Sequence, residues 1–111
     1  MKLLTKEIRE KLLANGRNRP SASEAKPVLK LFNPCGAATW LFTELDEDGD
    51  TLFGLCDLGM GEPELGYASL SEITSVRLPF GLKIERDLWF TPNKSLQEYA
   101  DEARAQGSIR A

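Results

Sequence analysis

The chain reads as an α+β domain, a largely antiparallel sheet of about five strands with N-terminal and C-terminal helices and one short internal helix. Three observations predict it. Leu4, Ile8 and Leu12 recur every four residues, the spacing of one helix face. Between residues 28 and 57, three stretches rich in β-branched and aromatic residues follow one another over hairpin-length links. Further on, Ser69-Leu70-Ser71-Glu72 and Ser95-Leu96-Gln97-Glu98 each place a hydroxyl three residues before a glutamate, the capping box that opens a helix. The 111 residues suffice for one core and are too few for two independent ones. A single domain is expected over residues 1–105, with 106–111 as a frayed tail.

In chain order, Thr5 is the expected cap of the first helix and Gly16 its stop signal. Residues 17–27 are polar and hold two prolines, which suits a mobile loop. Strands are expected at Val28–Phe32, Thr39–Leu45 and Thr51–Asp57. The run Asp46-Glu47-Asp48-Gly49-Asp50 joins the last two, and its Asp-Gly step signals a hairpin turn. Its glycine comes too early for a calcium loop, and the terminal glutamate is missing. Gly59, Gly61, Pro63 and Gly66 punctuate the next connection. A short strand at Tyr67–Ser69 and a helix to about Val76 follow, ended by Leu78-Pro79-Phe80-Gly81. A last strand is expected over Lys83–Phe90, and then a helix with Leu96, Tyr99, Ala100 and Ala103 on one face.

Composition narrows the chemistry. There is no histidine, which removes the Ser-His and Cys-His nucleophile pairs, HExxH-type metal sites and the usual general base near neutral pH. Cys35 and Cys56 lack CxxC spacing and read as buried free thiols. No apolar run approaches the roughly 18 residues of a membrane span, and the first residues do not form a secretory signal, so a cytoplasmic location is expected. The net charge of −3 conceals an asymmetry. Residues 1–30 hold eight Lys or Arg and three acids, whereas 44–72 hold nine acids and no base. Affinity for nucleic acid comes mainly from neutralising phosphates. An acidic chain is therefore poorly suited to it, apart from a weak single-stranded mode through Lys2, Lys6, Arg9, Lys11, Arg17 and Arg19.

Strand alternation suggests two candidate surfaces. Trp40, Phe42 and Glu44 share one strand face, and Glu85, Asp87 and Trp89 share another. If Leu41, Leu45, Ile84, Leu88 and Phe90 line the core, these six residues form an aromatic patch with an acidic rim, a partner-binding surface. The competing arrangement has a terminal helix covering that face. Arg86, among Ile84, Leu88 and Phe90, is expected to be buried and paired with Glu62, Glu64 or Asp57. Its functional version is a ligand pocket in which Arg86 faces Glu62, Glu64, Gly66 and Tyr67, with glycine-rich amides as donors. Tyr67 reads more simply as a core anchor. An alternative reading has Asp57, Glu62, Glu64 and Asp87 converge as oxygen ligands for magnesium or manganese in a carboxylate-based hydrolase or phosphate-binding enzyme, the one hydrolytic option open without histidine. No cofactor motif, P-loop or GxGxxG is present.

Taken in order, Leu3-Leu4-Thr5-Lys6-Glu7-Ile8, the segment Trp40–Glu44, Glu62-Pro63-Glu64-Leu65-Gly66-Tyr67, Ser69-Leu70-Ser71-Glu72-Ile73 and Ile84-Glu85-Arg86-Asp87-Leu88 resemble the bacterial family catalogued as domain of unknown function 2958. The resemblance implies a bacterial, cytoplasmic accessory protein of the kind encoded on plasmids and integrated elements, and it carries no assigned activity. The expected function is thus a non-enzymatic protein-binding module. Its expected partner is another protein, such as a basic nucleic-acid-handling one, with self-association left open.

Overall fold

A computed structural model describes residues 2–111. The elements are α1 (Lys6–Asn18), β1 (Leu29–Phe32), β2 (Thr39–Leu45), β3 (Thr51–Asp57), β4 (Glu64–Ser69), α2 (Leu70–Ser75), β5 (Glu85–Arg86) and α3 (Leu96–Gln106). The five strands make one antiparallel sheet in the order β4-β3-β2-β1-β5. β1 to β4 form a meander. The chain then crosses from one edge of the sheet to the other through α2, so that β5 pairs with β1.

Both faces of the sheet are covered. On one side Leu12 of α1 and Leu70 and Ile73 of α2 pack with Leu3, Leu4, Leu29, Leu31, Trp40, Phe42, Leu45, Leu52 and Ile84. On the other, Leu96, Tyr99, Ala100 and Ala103 of α3 pack on Leu41 and Leu55. Trp40 and Phe42 are therefore core residues beneath α1, with Phe42 fully buried. Their expected place on an outer aromatic face is corrected: the helix covers it.

The strand pattern around Phe42 depends on a bulge. Strict alternation from Trp40 and Phe42 would carry Glu44 under α1, placing a carboxylate in an apolar layer. The register between β2 and β3 instead shifts between Phe42 and Glu44, so that Leu45 enters the core and Glu44 moves to the α3 side opposite Phe53. An extra residue in one strand leaves a ladder group unpaired. Here Asn15 of α1 donates from Nδ2 to the Thr43 carbonyl oxygen at 2.9 Å. Two glycines permit the close approach. A Cβ at Gly16 would strike the Leu45 carbonyl oxygen, and one at Gly54 would strike the backbone of Leu41 and Phe42. Gly16 is thus a packing residue inside α1, and the helix ends at Arg19, in the left-handed conformation.

Local signals in the chain are otherwise followed closely. Thr5 caps α1 through the Ile8 amide. Ser95 and Glu98 form a full capping box. At α2, Ser69 accepts from the Glu72 amide, but in place of a reciprocal bond from the Ser69 amide to the Glu72 side chain the cap is braced by Asp50. Its carboxylate accepts from the Ser69 hydroxyl at 2.7 Å and from the Ser71 amide at 2.8 Å. The loop expected to be mobile is anchored, because the Ala22 and Ala25 carbonyls accept from the Gln97 and Leu96 amides at the start of α3 and Ala25 and Pro27 are buried. The end of the chain is also held: the Ile109 amide donates to Asp57 and the Lys30 ammonium to the Ala111 carbonyl. Cys35 is exposed, contrary to expectation, while burial pushes the Cys56 thiol up to about 11.

Two outcomes follow. Asn15→Ala removes the side-chain donor to the bulge carbonyl of Thr43, and is expected to destabilise the domain by about 1–3 kcal/mol in urea melts. Asn15→Asp, which cannot donate, should be no better; wild-type stability in both would dismiss the bulge as a constraint. The second concerns acid. Hydrogen bonds from the Ser69 hydroxyl and the Ser71 amide and hydroxyl hold the Asp50 carboxyl below its ordinary value of 3.8. A lowered folded-state pKa contributes stability above the ordinary value and loses it as pH falls through the folded value. The gap in melting temperature between wild type and Asp50→Asn should therefore be wider at neutral pH than well below 3.8, and a gap unchanged with pH would contradict the assignment.

Candidate functional site

With both sheet faces covered, exposed functional surface concentrates at the edges. Strand order puts the two groups once joined in a single pocket at opposite edges. Arg86 lies on β5, whereas Glu64, Gly66 and Tyr67 lie on β4 and Glu62 just before it. Four strand spacings, about 19 Å, separate those edges. The pocket expected among Glu62, Glu64, Gly66, Tyr67 and Arg86 does not form. Tyr67 is 71% exposed, stacked at a tilt on Phe53 with ring centroids 5.1 Å apart, and is no core anchor. That role belongs to Tyr99, whose hydroxyl donates to Asn93 Oδ1 and accepts from the Asn93 amide.

The proposed convergence of carboxylates on a metal is likewise not brought about. Asp57 is buried and accepts from the Gly59 and Ile109 amides. Asp87 sits near the opposite edge, and among the described residues no group of three or more His, Cys, Asp or Glu side chains gathers to hold a metal.

Around β5 the structure assembles a different site. A groove of about 1100 Å³ runs between the start of the chain, α2 and residues 81–86. Its floor is apolar, made by Leu3, Leu4, Leu70, Leu82 and Ile84, and its rim carries Lys2, Lys6, Arg9, Lys83 and Arg86. Glu85 is the one acid among the lining residues. Among the described residues, none of these five bases makes an ion pair.

Arg86 builds one wall. It is half-buried rather than buried as expected, and its partners are carbonyls, not carboxylates. Its Nη1 donates to the Lys2 and Leu3 carbonyl oxygens at 3.1 and 3.0 Å. That fork ties the start of the chain to β5 and places Lys2 beside Lys83 at the groove. A smaller hollow of about 240 Å³ lies on the other side of Arg86, against Ile8, Val28, Leu88 and Phe90.

The strand expected over Lys83–Phe90 is only two residues long, and Asp87 ends it. Its carboxylate accepts from the Trp89 amide at 2.9 Å and pairs with Lys30 at 3.2 Å, folding the chain into an Asx-type turn that competes with the ladder. Burial alone would raise the Asp87 carboxyl, but these bonds outweigh it and hold it below its ordinary value. The turn sends Trp89 into solvent, 90% exposed, with Leu88 beside it. Of the six residues expected on one partner-binding surface, Glu85, Asp87 and Trp89 are therefore at the β5 edge, Trp40 and Phe42 are in the core, and Glu44 is half-buried on the α3 side. Burial raises the Glu44 carboxyl, with the Arg19 charge opposing.

Sequence reasoning missed Phe80, Leu82 and Lys83. Pro79-Phe80-Gly81 reads as helix punctuation, and the available signal was the aromatic residue placed in a tight turn. The acidic β2–β3 turn also lies near the groove, since a Cβ on Gly49 would sit 3.9 Å from Arg9 Nη1. The basic and acidic segments of the chain thus meet at Arg9. No helix is long and apolar enough to cross a membrane among the described residues.

No match to a curated protein or to a solved structure was found. The family model described as protein of unknown function (DUF2958) matches residues 3–110, so the strand meander, the cross-sheet α2 connection and β5 all fall inside it, and the chain belongs to that family.

Proposed function

We propose that this protein is a non-enzymatic binding module that takes an acidic segment of a partner protein, carrying aliphatic anchors, into the groove along β5. The observation that carries the reading is the combination of an apolar floor with a rim of bases that have no ionic partner among the described residues. Apolar area supplies the affinity of such a contact, and complementary charge supplies orientation and rate. The polarity differs from that expected of the acidic 44–64 segment, which would favour a basic partner. The bacterial, cytoplasmic and mobile-element setting implied by the family resemblance belongs to the same proposal.

A single-stranded nucleic acid is the competing ligand for basic residues near exposed aromatics. One feature weighs against it: the groove presents aliphatic side chains where stacking requires aromatic ones.

Selection of a random peptide library against the full chain tests the proposal. Enriched sequences should combine Asp or Glu with spaced aliphatic residues and shift the amide resonances of residues 2–9, 70–74 and 81–86. Lys83→Glu should weaken the best peptide by roughly tenfold, and added salt should weaken it further. Lys83 is chosen over Arg86 because the latter also holds the start of the chain in place. Enrichment without acids, shifts confined to another surface, or tighter binding of an oligothymidylate to the same residues would refute it.

A further inference from the structure

Residues 79–82 form a turn closed by the Leu82 amide donating to the Pro79 carbonyl at 3.2 Å. Its two central residues, Phe80 and Gly81, have φ of 63° and 72°, and ψ of Phe80 is 23°. Positive φ at both central positions, with that bond, is the type I′ pattern, whose places belong to Asn, Asp and Gly. Gly81 conforms. Phe80 does not, because a bulky L side chain in the left-handed region is strained. A second bond, from the Leu78 amide to the Leu82 carbonyl at 3.0 Å, closes the stem and holds the turn in this shape.

Among the described residues the ring itself gains no packing that would offset the strain: Phe80 is 97% exposed, more than any other large apolar residue described. Backbone strain with no internal return is characteristic of sites where it serves function. A ring projected by a rigid turn also loses little freedom when it is buried in a complex. The stretch of chain that carries it has charge of one sign: residues 73–84 contain Arg77 and Lys83 and no acid, and Val76 and Leu82 of the same stretch are partly exposed.

We infer that Phe80 is an insertion anchor: its ring enters an apolar pocket, one ring wide and rimmed by carboxylates, on the protein partner whose acidic segment fills the adjoining groove. The inference rests on the proposed protein-binding function. It makes the contact two-way, with the groove receiving a segment and the turn delivering a ring, and aromatic residues so placed commonly dominate binding energy.

The test places the photo-crosslinker p-benzoylphenylalanine at position 80 of the full chain in cells, and at position 67 as an exposed control on the opposite edge. One protein should crosslink from position 80 and not from 67. That protein, purified, is then titrated against wild type, Phe80→Asn and Lys83→Glu. Phe80→Asn should bind at least roughly tenfold more weakly and melt about 4 °C higher, because asparagine suits the turn. Unchanged affinity, an unchanged or lower melting temperature, crosslinks to nucleic acid, or no crosslink specific to position 80 would each overturn the anchor. Weakening by Lys83→Glu with none by Phe80→Asn would retain the groove and discard the anchor, and the reverse pattern would do the opposite.

Discussion

The hydrogen bond from Asn15 to the Thr43 carbonyl is the point on which the arrangement turns. The run Trp40-Leu41-Phe42-Thr43-Glu44-Leu45 has to bury two aromatics and a leucine on one side and keep a glutamate off it. A strand of period two cannot do that, whereas a strand with one extra residue can. The bulge frees a carbonyl beneath a helix, where water cannot satisfy it, and an unmade bond there is costly. Asn15 supplies the donor. Gly16 lets the helix approach near enough for that bond, and Gly54 makes room on the neighbouring strand. Seating α1 on β2 in this way covers Trp40 and Phe42, and so closes off an apolar face of the sheet.

What could be read from the chain, and what could not, divides along the same line. Signals confined to a few residues were legible. The caps at Thr5, Ser69 and Ser95 and the strands Thr39–Leu45 and Thr51–Asp57 stand where their sequences place them. Features that depend on distant partners were not. Alternation continues through Thr43 as if no bulge existed, because its cause is a helix almost thirty positions earlier. Arg86 was legible as a residue needing partners, but strand order decided that the glycine-rich connection could not provide them. The turn at Phe80 was hidden for another reason. Its backbone conformation is one that its side chain disfavours, so propensity points away from it.

Charge gives the last step. Net charge and the acidic run from Glu44 to Glu72 suggest an acidic protein seeking a basic partner. In the folded chain several of those carboxylates serve as hydrogen-bond acceptors within it. Asp48 receives the amides of Asp50 and Thr51 and the Thr51 hydroxyl, Asp50 anchors the start of α2, and Asp57 receives the amides of Gly59 and Ile109. Near the groove, Asp87 is likewise taken up by Lys30 and Trp89. Among the described residues the bases at the groove have no such ionic partners, and Arg86 is committed to two carbonyls that leave its charge intact. A charge already satisfied by internal donors attracts a ligand less than one that faces solvent over an apolar floor. The groove at β5 is therefore lined mainly by positive charge, although the protein as a whole is not positive.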